Sequence, residues 1–351
     1  MSGWNQDYPD VDVPPPDEEG WSPEVIHPDD PDPYPFVSGG SFILDAADAP
    51  EPLWGRGDEV LLADGEALII AGGQGLGKTT LAQQLALGRC GFEEYADLLG
   101  FPVTPGERVL YLAMDRPRQV ARSFRRMVGE SWRSELDERL LVWQGPPPGD
   151  IAKHTSLLVT LCRKAGADTV IVDSLKDAAV GLTDDEVGAG YNRARQKAIA
   201  AGVQVIELHH QRKAQQGVKA APTVDDLYGS TWLPSGAGSV ILLTGAPGDP
   251  IVGLHHVKQP AGEVGPLKVV HDHTVGRSSV WHAADLVEAA RAAGGLTAVD
   301  AARVLFDAEK PTAAEREKAR RRLEKLTSAG LMDVADPGDQ ASGRARMWGA
   351  R

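Results

Sequence analysis

From about residue 41 onward, short apolar runs alternate with stretches whose apolar residues recur at helical spacing. TTLAQQLALG (79–88) and YNRARQKAIAAG (191–202) are two of the helical stretches. Short and strongly apolar runs are typical of strands buried on both faces of a sheet. Such strands alternating with helices predict an α/β fold with right-handed crossovers and a mainly parallel, twisted sheet. The five apolar runs are ALIIA (67–71), RVLYLAM (108–114), TVIVD (169–173), VQVIEL (203–208) and SVILL (239–243).

The pattern changes twice after residue 250. IVGLHHVKQ (251–259) and GPLKVVHDH (265–273) flank a Pro- and Gly-containing turn, which predicts an antiparallel hairpin at the sheet edge. From about residue 285, three helical patterns are followed by two short extended runs around the turn PGDQASG. Three helices and a hairpin are the layout of a winged helix-turn-helix. The sequence thus predicts an α/β domain over 41–284 and a small winged-helix domain over 285–351.

The first 40 residues have a different composition. They are dense in Pro and Asp, which cannot build a core, so 1–40 is predicted to be a disordered acidic tail. A docking segment for a protein partner, or a DNA mimic that inhibits until it is displaced, is the alternative. Residues 1–55 hold 13 of the 50 acids and no Lys or Arg. The remaining chain therefore carries 37 acids against 36 bases, which leaves room for local basic patches.

Cysteine usage and hydropathy bear on location. The two cysteines, Cys90 and Cys162, have no metal-like spacing and fit a reducing compartment. The N-terminus lacks the basic start and apolar segment of a signal peptide. No apolar run approaches the roughly 20 residues that a membrane span needs. We expect a soluble, cytoplasmic protein without a membrane partner.

Candidate chemistry begins at GGQGLGKTT (72–80), which fits the spacing G-x-x-x-x-G-K-[ST]. The glycines allow backbone N–H groups to turn toward a phosphate, Lys78 supplies a positive charge, and the Thr79 hydroxyl can ligate Mg²⁺. An apolar strand precedes the motif and a helix follows it, as a phosphate loop requires. ATP and Mg²⁺ are the expected cofactors. The predicted nucleotide-binding residues are Gly72, Gly73, Gly75, Gly77, Lys78, Thr79 and Thr80.

A second metal element is expected at the end of another buried strand. TVIVD ends in Asp173. A carboxylate at such a strand end often only caps a helix, but beside a phosphate loop it fits the Mg²⁺ site. Thr79 and Asp173 are the predicted metal ligands.

Over roughly residues 41–280, the order of these features resembles the RecA-like ATPases, in particular the hexameric helicases of the DnaB and plasmid RepA type. The resemblance implies that the strand after the first helix ends in the carboxylate that activates water, here Asp115 in YLAMDRP. That family usually has Glu there, and a helix cap beside Arg116 is the alternative role. It also implies that His210 contacts the γ-phosphate. Adjacent residues of a strand face opposite ways, so one of His209 and His210 is expected to be structural.

The same resemblance implies a cation supplied from a neighbouring subunit by the late hairpin. Lys258 in HHVKQPAG is the candidate, and the position where such helicases carry Arg is Pro260. Arg277 is a possible substitute. An ordinary edge-strand lysine is the alternative role for Lys258.

DNA contacts are expected at two places. The resemblance implies that 174–190 and 211–229 are loops, because in RecA-like rings the corresponding loops face the central channel. The second of them carries Arg212, Lys213 and Lys219, which suits phosphate tracking along a single strand. In the C-terminal domain a basic helix and hairpin form a duplex footprint, with a salt-laced protein-docking module as the alternative. Its candidate DNA-binding residues are Arg320, Arg321, Lys325, Arg344 and Arg346.

The leading hypothesis is therefore an ATP-dependent DNA motor or helicase. It would act on single-stranded or branched DNA in phage or plasmid replication, as a homo-oligomeric ring or filament. A RecA-like recombination or repair ATPase that remodels branched DNA is one alternative. The other alternative is a nucleotide-switched DNA-binding regulator with little turnover. It is supported by Asp115 and Pro260, which stand where the helicases usually have Glu and Arg.

Overall fold

The computed structural model describes residues 37–212, 222–246, 248–249, 251–281, 284–306, 309–328, 330–338 and 344–351. The chain divides into two compact units, Met1–Pro50 and Glu51–Arg351. The described part of the first unit holds one short helix, α1 (Gly39–Leu44). Residues 1–36, which make up most of the predicted tail, lie outside the described residues.

The second unit contains all the strands and the remaining helices of the described chain. Its strands are β1 (Pro52–Arg56), β2 (Glu59–Ala63), β3 (Leu68–Gly72), β4 (Asp97–Leu98), β5 (Phe101–Pro102), β6 (Val109–Ala113), β7 (Leu140–Gln144), β8 (Thr169–Asp173), β9 (Gln204–His210), β10 (Ser239–Thr244), β11 (Ile251–Lys258), β12 (Leu267–Asp272), β13 (Arg277–Val280), β14 (Leu296–Thr297), β15 (Met332–Asp336) and β16 (Met347–Ala350). Its helices are α2 (Lys78–Arg89), α3 (Pro117–Phe124), α4 (Arg133–Arg139), α5 (Leu157–Ala165), α6 (Leu175–Ala178), α7 (Asp185–Ala200), α8 (Trp232–Ser235), α9 (Ala284–Ala293), α10 (Ala298–Phe306) and α11 (Ala313–Ser328).

A nine-stranded sheet forms the centre, in the order β13-β12-β11-β10-β3-β9-β8-β6-β7. Strands β3 and β6 to β10 run parallel, and β11 to β13 are antiparallel to their neighbours. The five apolar runs are β3, β6, β8, β9 and β10, so the predicted α/β fold with a mainly parallel sheet is confirmed. Strand β7 was not predicted, because it is an edge strand that is only partly buried.

Alternation along β3 explains the layers on the two faces of the sheet. Leu68 and Ile70 join one core cluster, which includes residues of α2 and α3. Ile69 and Ala71 join the other, which includes residues of α5, α7 and α8. Since successive side chains of a strand point to opposite faces, a fully apolar strand needs helices on both sides. The carboxyl ends of the parallel strands then form one edge.

The predicted hairpin at the sheet edge is present as β11 and β12, which pair antiparallel. Strand β13 extends it by one further antiparallel strand. The sequence RSSV of β13 has a single apolar residue, so hydrophobic periodicity gives no signal there.

The segment 174–190, expected to be a channel loop, is largely helical. Helix α6 follows β8 directly, and α7 already begins at Asp185. The Asp184 carboxylate accepts a hydrogen bond from the backbone N–H of Glu186 at 2.8 Å and caps α7. The expectation of a loop was wrong here because that local cap starts the helix early.

Within the second compact unit, the elements from α9 onward form a small α+β region, called the C-terminal unit below. Helices α9 to α11 accompany a three-stranded antiparallel sheet in the order β14-β16-β15. A separate core cluster includes Leu286, Ala302, Leu323 and Trp348. Three helices and a hairpin agree with the pattern in the sequence, and β14 adds a short third strand.

Hydropathy of the helices adds one finding. Among the described residues, no helix combines the length and the apolar character that crossing a membrane requires.

Candidate active site

The phosphate loop joins β3 to α2 at the carboxyl edge of the sheet. Gly75 and Gly77 have φ angles of 73° and 87°, in the left-handed region that residues with a Cβ rarely adopt. Gly77 is the N-cap of α2, so the loop ends at a helix N-terminus. The Lys78 Nζ donates hydrogen bonds to the carbonyls of Gly72 at 2.9 Å and Gly73 at 2.7 Å. The lysine therefore folds back over its own loop.

The charge of Lys78 is sensitive to its surroundings. Burial lowers the pKa of this amine to about 8, although the nearby Asp173 carboxylate opposes the shift. An ammonium held in a partly desolvated loop attracts anions strongly because little water screens it.

Asp173 ends β8, two strands away from the loop strand β3 with β9 between them. Its Oδ2 accepts hydrogen bonds from the Tyr111 hydroxyl at 2.8 Å and the Thr79 hydroxyl at 3.4 Å. Burial raises the pKa of this carboxyl, and the two hydroxyls and Lys78 counteract the rise. These partners keep a partly buried carboxylate directly against the start of α2.

The Thr79 hydroxyl and the Asp173 carboxylate fit a magnesium ion. Both offer hard oxygen donors, and Mg²⁺ is usually held by one or two protein oxygens together with substrate phosphates and water. Among the described residues, no cluster of three or more His, Cys, Asp or Glu side chains could form an all-protein metal site. A metal held by the Thr79 and Asp173 oxygens would complete its ligands with nucleotide phosphates and water, and would neutralise phosphate charge.

Asp115 lies just beyond the end of β6, next to β8 at the same edge. Its side chain is 59% exposed and accepts a hydrogen bond from Arg116 Nε at 2.9 Å. Helix α3 begins after Arg116, with no side-chain cap hydrogen bond, so the helix-cap role for Asp115 is absent from the described structure. An exposed carboxylate at this edge can accept a proton from water.

The two adjacent histidines occupy different environments. His210 pairs with Gly72 across the β9–β3 ladder and is partly exposed. Burial lowers its pKa, and the charges of Lys78 and Lys176 lower it further. His209 is fully buried, and its Nε2 donates to the Tyr228 carbonyl. His210 is thus the histidine beside the phosphate loop, and His209 anchors the chain that follows.

Lys258 is far from this loop within the same chain. It pairs with Val240 near the start of β10, whereas the loop residue Gly72 pairs with Leu243 near the end of β10. Its Nζ donates to the carbonyls of Pro234 at 3.0 Å and Ser235 at 2.9 Å.

Arg277, the alternative cation, is also engaged. It donates to the Glu94 carbonyl at 2.8 Å and lies over the Tyr95 ring at 4.4 Å.

The structure describes most of the candidate DNA-binding residues. Arg212 is exposed and donates to the Gly229 carbonyl at 3.1 Å, while Lys213 and Lys219 lie outside the described residues. In the C-terminal unit, the candidate arginines are all ion-paired, and Lys325 is exposed. The pairs are Arg320 with Glu317 and Glu324, Arg321 with Glu317, Arg344 with Asp336, and Arg346 with Glu324.

Sequence reasoning missed three features near the site. Tyr111 bonds Asp173, His271 bonds the Leu76 carbonyl of the loop, and Arg195 forms a fully buried ion pair with Glu207 of β9. A polar residue inside an apolar run, as in RVLYLAM and VQVIEL, is the signal that could have indicated the first and the last. No pattern indicated His271.

Together, the glycine-rich loop and the paired Thr79 and Asp173 define a P-loop nucleotide-hydrolase site. The family model AAA_25, described as an AAA domain, matches residues 40–216. The chain belongs to this family of ATPases, and its mainly parallel sheet fits a RecA-like P-loop core.

Solved structures give a weaker likeness. The ATPase domain of G40P is 14% identical with a TM-score of 0.45, over 62% of this chain and 85% of that one. The KaiC-like protein PH0186 from the hyperthermophilic archaeon Pyrococcus horikoshii OT3 is 18% identical with a TM-score of 0.46, over 66% and 99%. No curated protein matches this sequence. With both TM-scores below 0.5, the assignment rests on the family match and the strand order.

Proposed function

We propose that this protein is an ATP-dependent DNA motor, a helicase of the RepA or DnaB type that acts on single-stranded or branched DNA in replication. One observation carries the proposal. His210, beside the phosphate loop, accepts a hydrogen bond at its carbonyl from the backbone N–H of Tyr228 at 3.0 Å. The segment between these two residues begins with Gln211 and continues with Arg212, whose side chain is exposed. A change in the nucleotide that moves His210, at the end of β9, would therefore also move the segment that carries Arg212.

At the nucleotide, each candidate residue has a distinct task. Lys78 would meet the β- and γ-phosphates, and Thr79 and Asp173 would hold Mg²⁺. Asp115 orients and deprotonates the attacking water, and its exposure at the sheet edge leaves it accessible. His210 senses the γ-phosphate from the end of β9.

The single-strand contact would combine cations with stacking. Arg212 supplies a guanidinium and donates to the carbonyl of Gly229, the residue after Tyr228. Two aromatic side chains in this part of the chain are exposed, Tyr228 at 42% and Trp232 at 48%. Bases stack on such rings with little regard to sequence, while cations follow the phosphates. This aromatic pair was not anticipated as a stacking surface.

The motor would work as a homo-oligomer, because Lys258 is remote from the phosphate loop of its own chain. We propose that Lys258 serves the site of a neighbouring subunit. Lys78→Ala and Lys258→Ala should each be inactive alone and regain up to about a quarter of wild-type turnover when mixed as reassembled oligomers. Such mixing creates some sites with an intact Lys78 and an intact Lys258. If turnover does not recover although subunit exchange is verified, Lys258 has only a structural role, through its contacts with the Pro234 and Ser235 carbonyls of its own chain.

The C-terminal unit is proposed to be a winged helix that delivers the motor to duplex or branched DNA. Its order of α9, β14, α10, α11, β15 and β16 suits that fold, with α11 as the recognition helix. Removing 285–351 should weaken duplex affinity and spare basal ATP hydrolysis. Unchanged duplex affinity over a salt series would contradict this role.

The decisive experiment measures ATP turnover with and without single-stranded DNA. We expect stimulation by DNA in the wild type and loss of turnover in Lys78→Ala and Asp173→Ala. An equal rate in the wild type and Lys78→Ala would refute the ATPase site. A strand-displacement assay then separates a helicase from a recombination ATPase, which would pair or remodel strands without unwinding them.

A nucleotide-switched DNA-binding regulator is the second candidate function. Its support is that Lys258 and Arg277 both donate to backbone carbonyls of their own chain, while Asp115 is paired with Arg116. Slow hydrolysis would follow if these contacts persist in the assembled protein. If the wild type shows no turnover and Lys78→Ala abolishes DNA binding, the regulator is the correct function.

A further inference from the structure

Strands β12 and β13, the last two at this side of the sheet, form a second hairpin, here called the edge hairpin. A continuous set of hydrogen bonds joins it to the phosphate loop. The Ser278 hydroxyl lies 2.8 Å from His271 Nδ1, and His271 Nε2 lies 3.1 Å from the Leu76 carbonyl oxygen. Gln84 of α2 completes the set: its amide nitrogen donates to the Ser278 hydroxyl at 2.8 Å, and its oxygen accepts from the Ser278 backbone N–H at 3.0 Å. His271, Ser278 and Gln84 are all buried.

The chemistry of these groups fixes the direction of every proton. The Leu76 carbonyl can only accept, so Nε2 of His271 must carry the hydrogen. Nδ1 is then the acceptor for the Ser278 hydroxyl, whose own oxygen accepts from Gln84. Burial lowers the pKa of His271 to about 4, so the ring is neutral in this arrangement.

The histidine ring also fills the space beside the loop. A Cβ added at Gly77 would lie 2.2 Å from His271 Nε2, too close for any side chain. Lys78 holds the beginning of the loop through the Gly72 and Gly73 carbonyls, and His271 holds its end. The loop is therefore fixed at both ends before a nucleotide binds.

The bond to Leu76 has a direct consequence for phosphate binding. In a planar trans peptide the C=O and the following N–H point in opposite directions. Holding the Leu76 carbonyl toward the hairpin therefore turns the Gly77 N–H away from the hairpin. Backbone N–H groups pointing inward are what make such a loop bind phosphate.

We propose that His271 is a positioning residue for the nucleotide phosphates, because its Nε2–H sets the orientation of the Leu76–Gly77 peptide from the edge hairpin. The inference rests on the nucleotide site proposed above and is independent of any DNA role. It also makes the hairpin part of the phosphate site, although the hairpin lies about 195 residues further along the chain.

Two substitutions of His271 distinguish the role of its Nε2 hydrogen bond from that of its Nδ1 hydrogen bond. In His271→Gln the amide nitrogen lies roughly where Nε2 lies and can still donate to Leu76. In His271→Asn the amide oxygen lies roughly where Nδ1 lies, so the bond to Ser278 is kept and the bond to Leu76 is lost. His256→Asn is the matched control, because His256 is a buried histidine of β11 whose Nε2 bonds the Ser239 hydroxyl at 2.8 Å, away from the loop.

The measurements are the Kd for a fluorescent ATP analogue and the unfolding midpoint in denaturant. We expect His271→Asn to weaken binding about tenfold, and His271→Gln and His256→Asn to stay within about threefold of the wild type. Binding that is equal in both His271 variants, whether retained or lost together with stability, would overturn the positioning role. A wild type that binds no nucleotide would instead refute the proposed function.

Histidine-selective ¹⁵N spectra of the nucleotide-free protein give a test without ATP. The His271 ring should show the neutral Nε2–H form throughout pH 6–9, and His271→Gln should remove that signal. A ring with the proton on Nδ1, or one that titrates near the ordinary pKa of about 6.5, would contradict the inference.

Discussion

The Tyr111 hydroxyl donates a hydrogen bond to the Asp173 carboxylate at 2.8 Å. Tyr111 is fully buried, and burial holds its pKa well above the usual value, so its proton stays in place. The hydroxyl thereby supports the negative charge of a carboxyl whose own pKa burial raises. A carboxyl group ligates magnesium in its ionised form, so Tyr111 would act on the proposed metal site without touching the metal.

Replacing Tyr111 by Phe should therefore raise the Mg²⁺ concentration needed for half-maximal ATP turnover by about tenfold. The loss of one donor raises the pKa of Asp173 further and weakens its hold on the cation. A Mg²⁺ titration of turnover measures the effect. Tyr95→Phe is the control, because the Tyr95 hydroxyl donates to the Met127 carbonyl at 2.8 Å, away from the site. Equal Mg²⁺ requirements in both variants would contradict the role of Tyr111.

Lys78 should make ATP affinity depend on pH above 8. Its pKa in the free protein is about 8, and phosphate anions raise the pKa in the complex. Below pH 8 the amine is already charged, so binding needs no proton there. Above pH 8 binding must take up a proton, and affinity should fall by up to about tenfold per pH unit. Calorimetry in buffers of different ionisation enthalpy counts the proton. Lys78→Arg should bind ATP without proton uptake. If ATP affinity of that variant falls with pH as steeply as in the wild type, a group other than Lys78 causes the dependence.

The same shift predicts the sign of a stability change. An unfolded lysine has its ordinary pKa of 10.5, against about 8 in the folded protein. Between these values the unfolded chain binds a proton that the folded chain does not, so the free energy of unfolding rises with pH. Denaturant unfolding at pH 8 and pH 10 should show this rise reduced in Lys78→Met. An undiminished rise in that variant would show that other groups cause it.

The buried ion pair of Arg195 and Glu207 should be costly to break on one side only. Arg195 donates to Glu207 at 2.9 and 2.7 Å and also bonds Asn192 and the Leu233 carbonyl, with no exposure of either charged group. Arg195→Met leaves a carboxylate buried without its partner and should cost about 3–5 kcal/mol of unfolding free energy. Adding Glu207→Leu should recover most of that loss. Denaturant unfolding tests this, and a double variant as unstable as the sum of the singles would show that polar bonds around the pair dominate.

Local sequence information explains what could be predicted. The phosphate loop is specified by consecutive residues, and strands such as β3 and β8 are fully or almost fully buried, so spacing and hydropathy identify both. Asp173 follows because the carboxyl ends of parallel strands share one edge.

The remaining site residues depend on contacts between distant segments. Tyr111 meets Asp173 only because β6 pairs with β8 in a register that places Ala113 opposite Asp173. His271 of β12 reaches Leu76, which follows β3, although β11 and β10 lie between these two strands in the sheet. The sequence around His271 has no site-like pattern. Which strands lie next to each other in the sheet is decided by tertiary packing, and the hydrophobic periodicity of a single strand does not show it.

Acidic neighbours should limit DNA binding by α11. Glu317 and Glu324 together pair with Arg320, Arg321 and Arg346. Replacing both acids by Gln frees three arginines as candidate phosphate contacts, so duplex affinity should rise several-fold. The slope of log affinity against log salt concentration should also become steeper, by an amount that corresponds to about one to two additional phosphate contacts.

The control for this double variant removes the same charge from the same unit. Glu288 and Glu309 have exposed side chains with no ion pair among the described residues. Glu288→Gln with Glu309→Gln therefore changes the net charge equally without freeing an arginine. If both double variants gain the same affinity with the same salt slope, the gain comes from net charge and the protein-docking role of α11 is favoured. A gain confined to Glu317→Gln with Glu324→Gln identifies the released arginines as DNA contacts, because only those side chains differ in their partners.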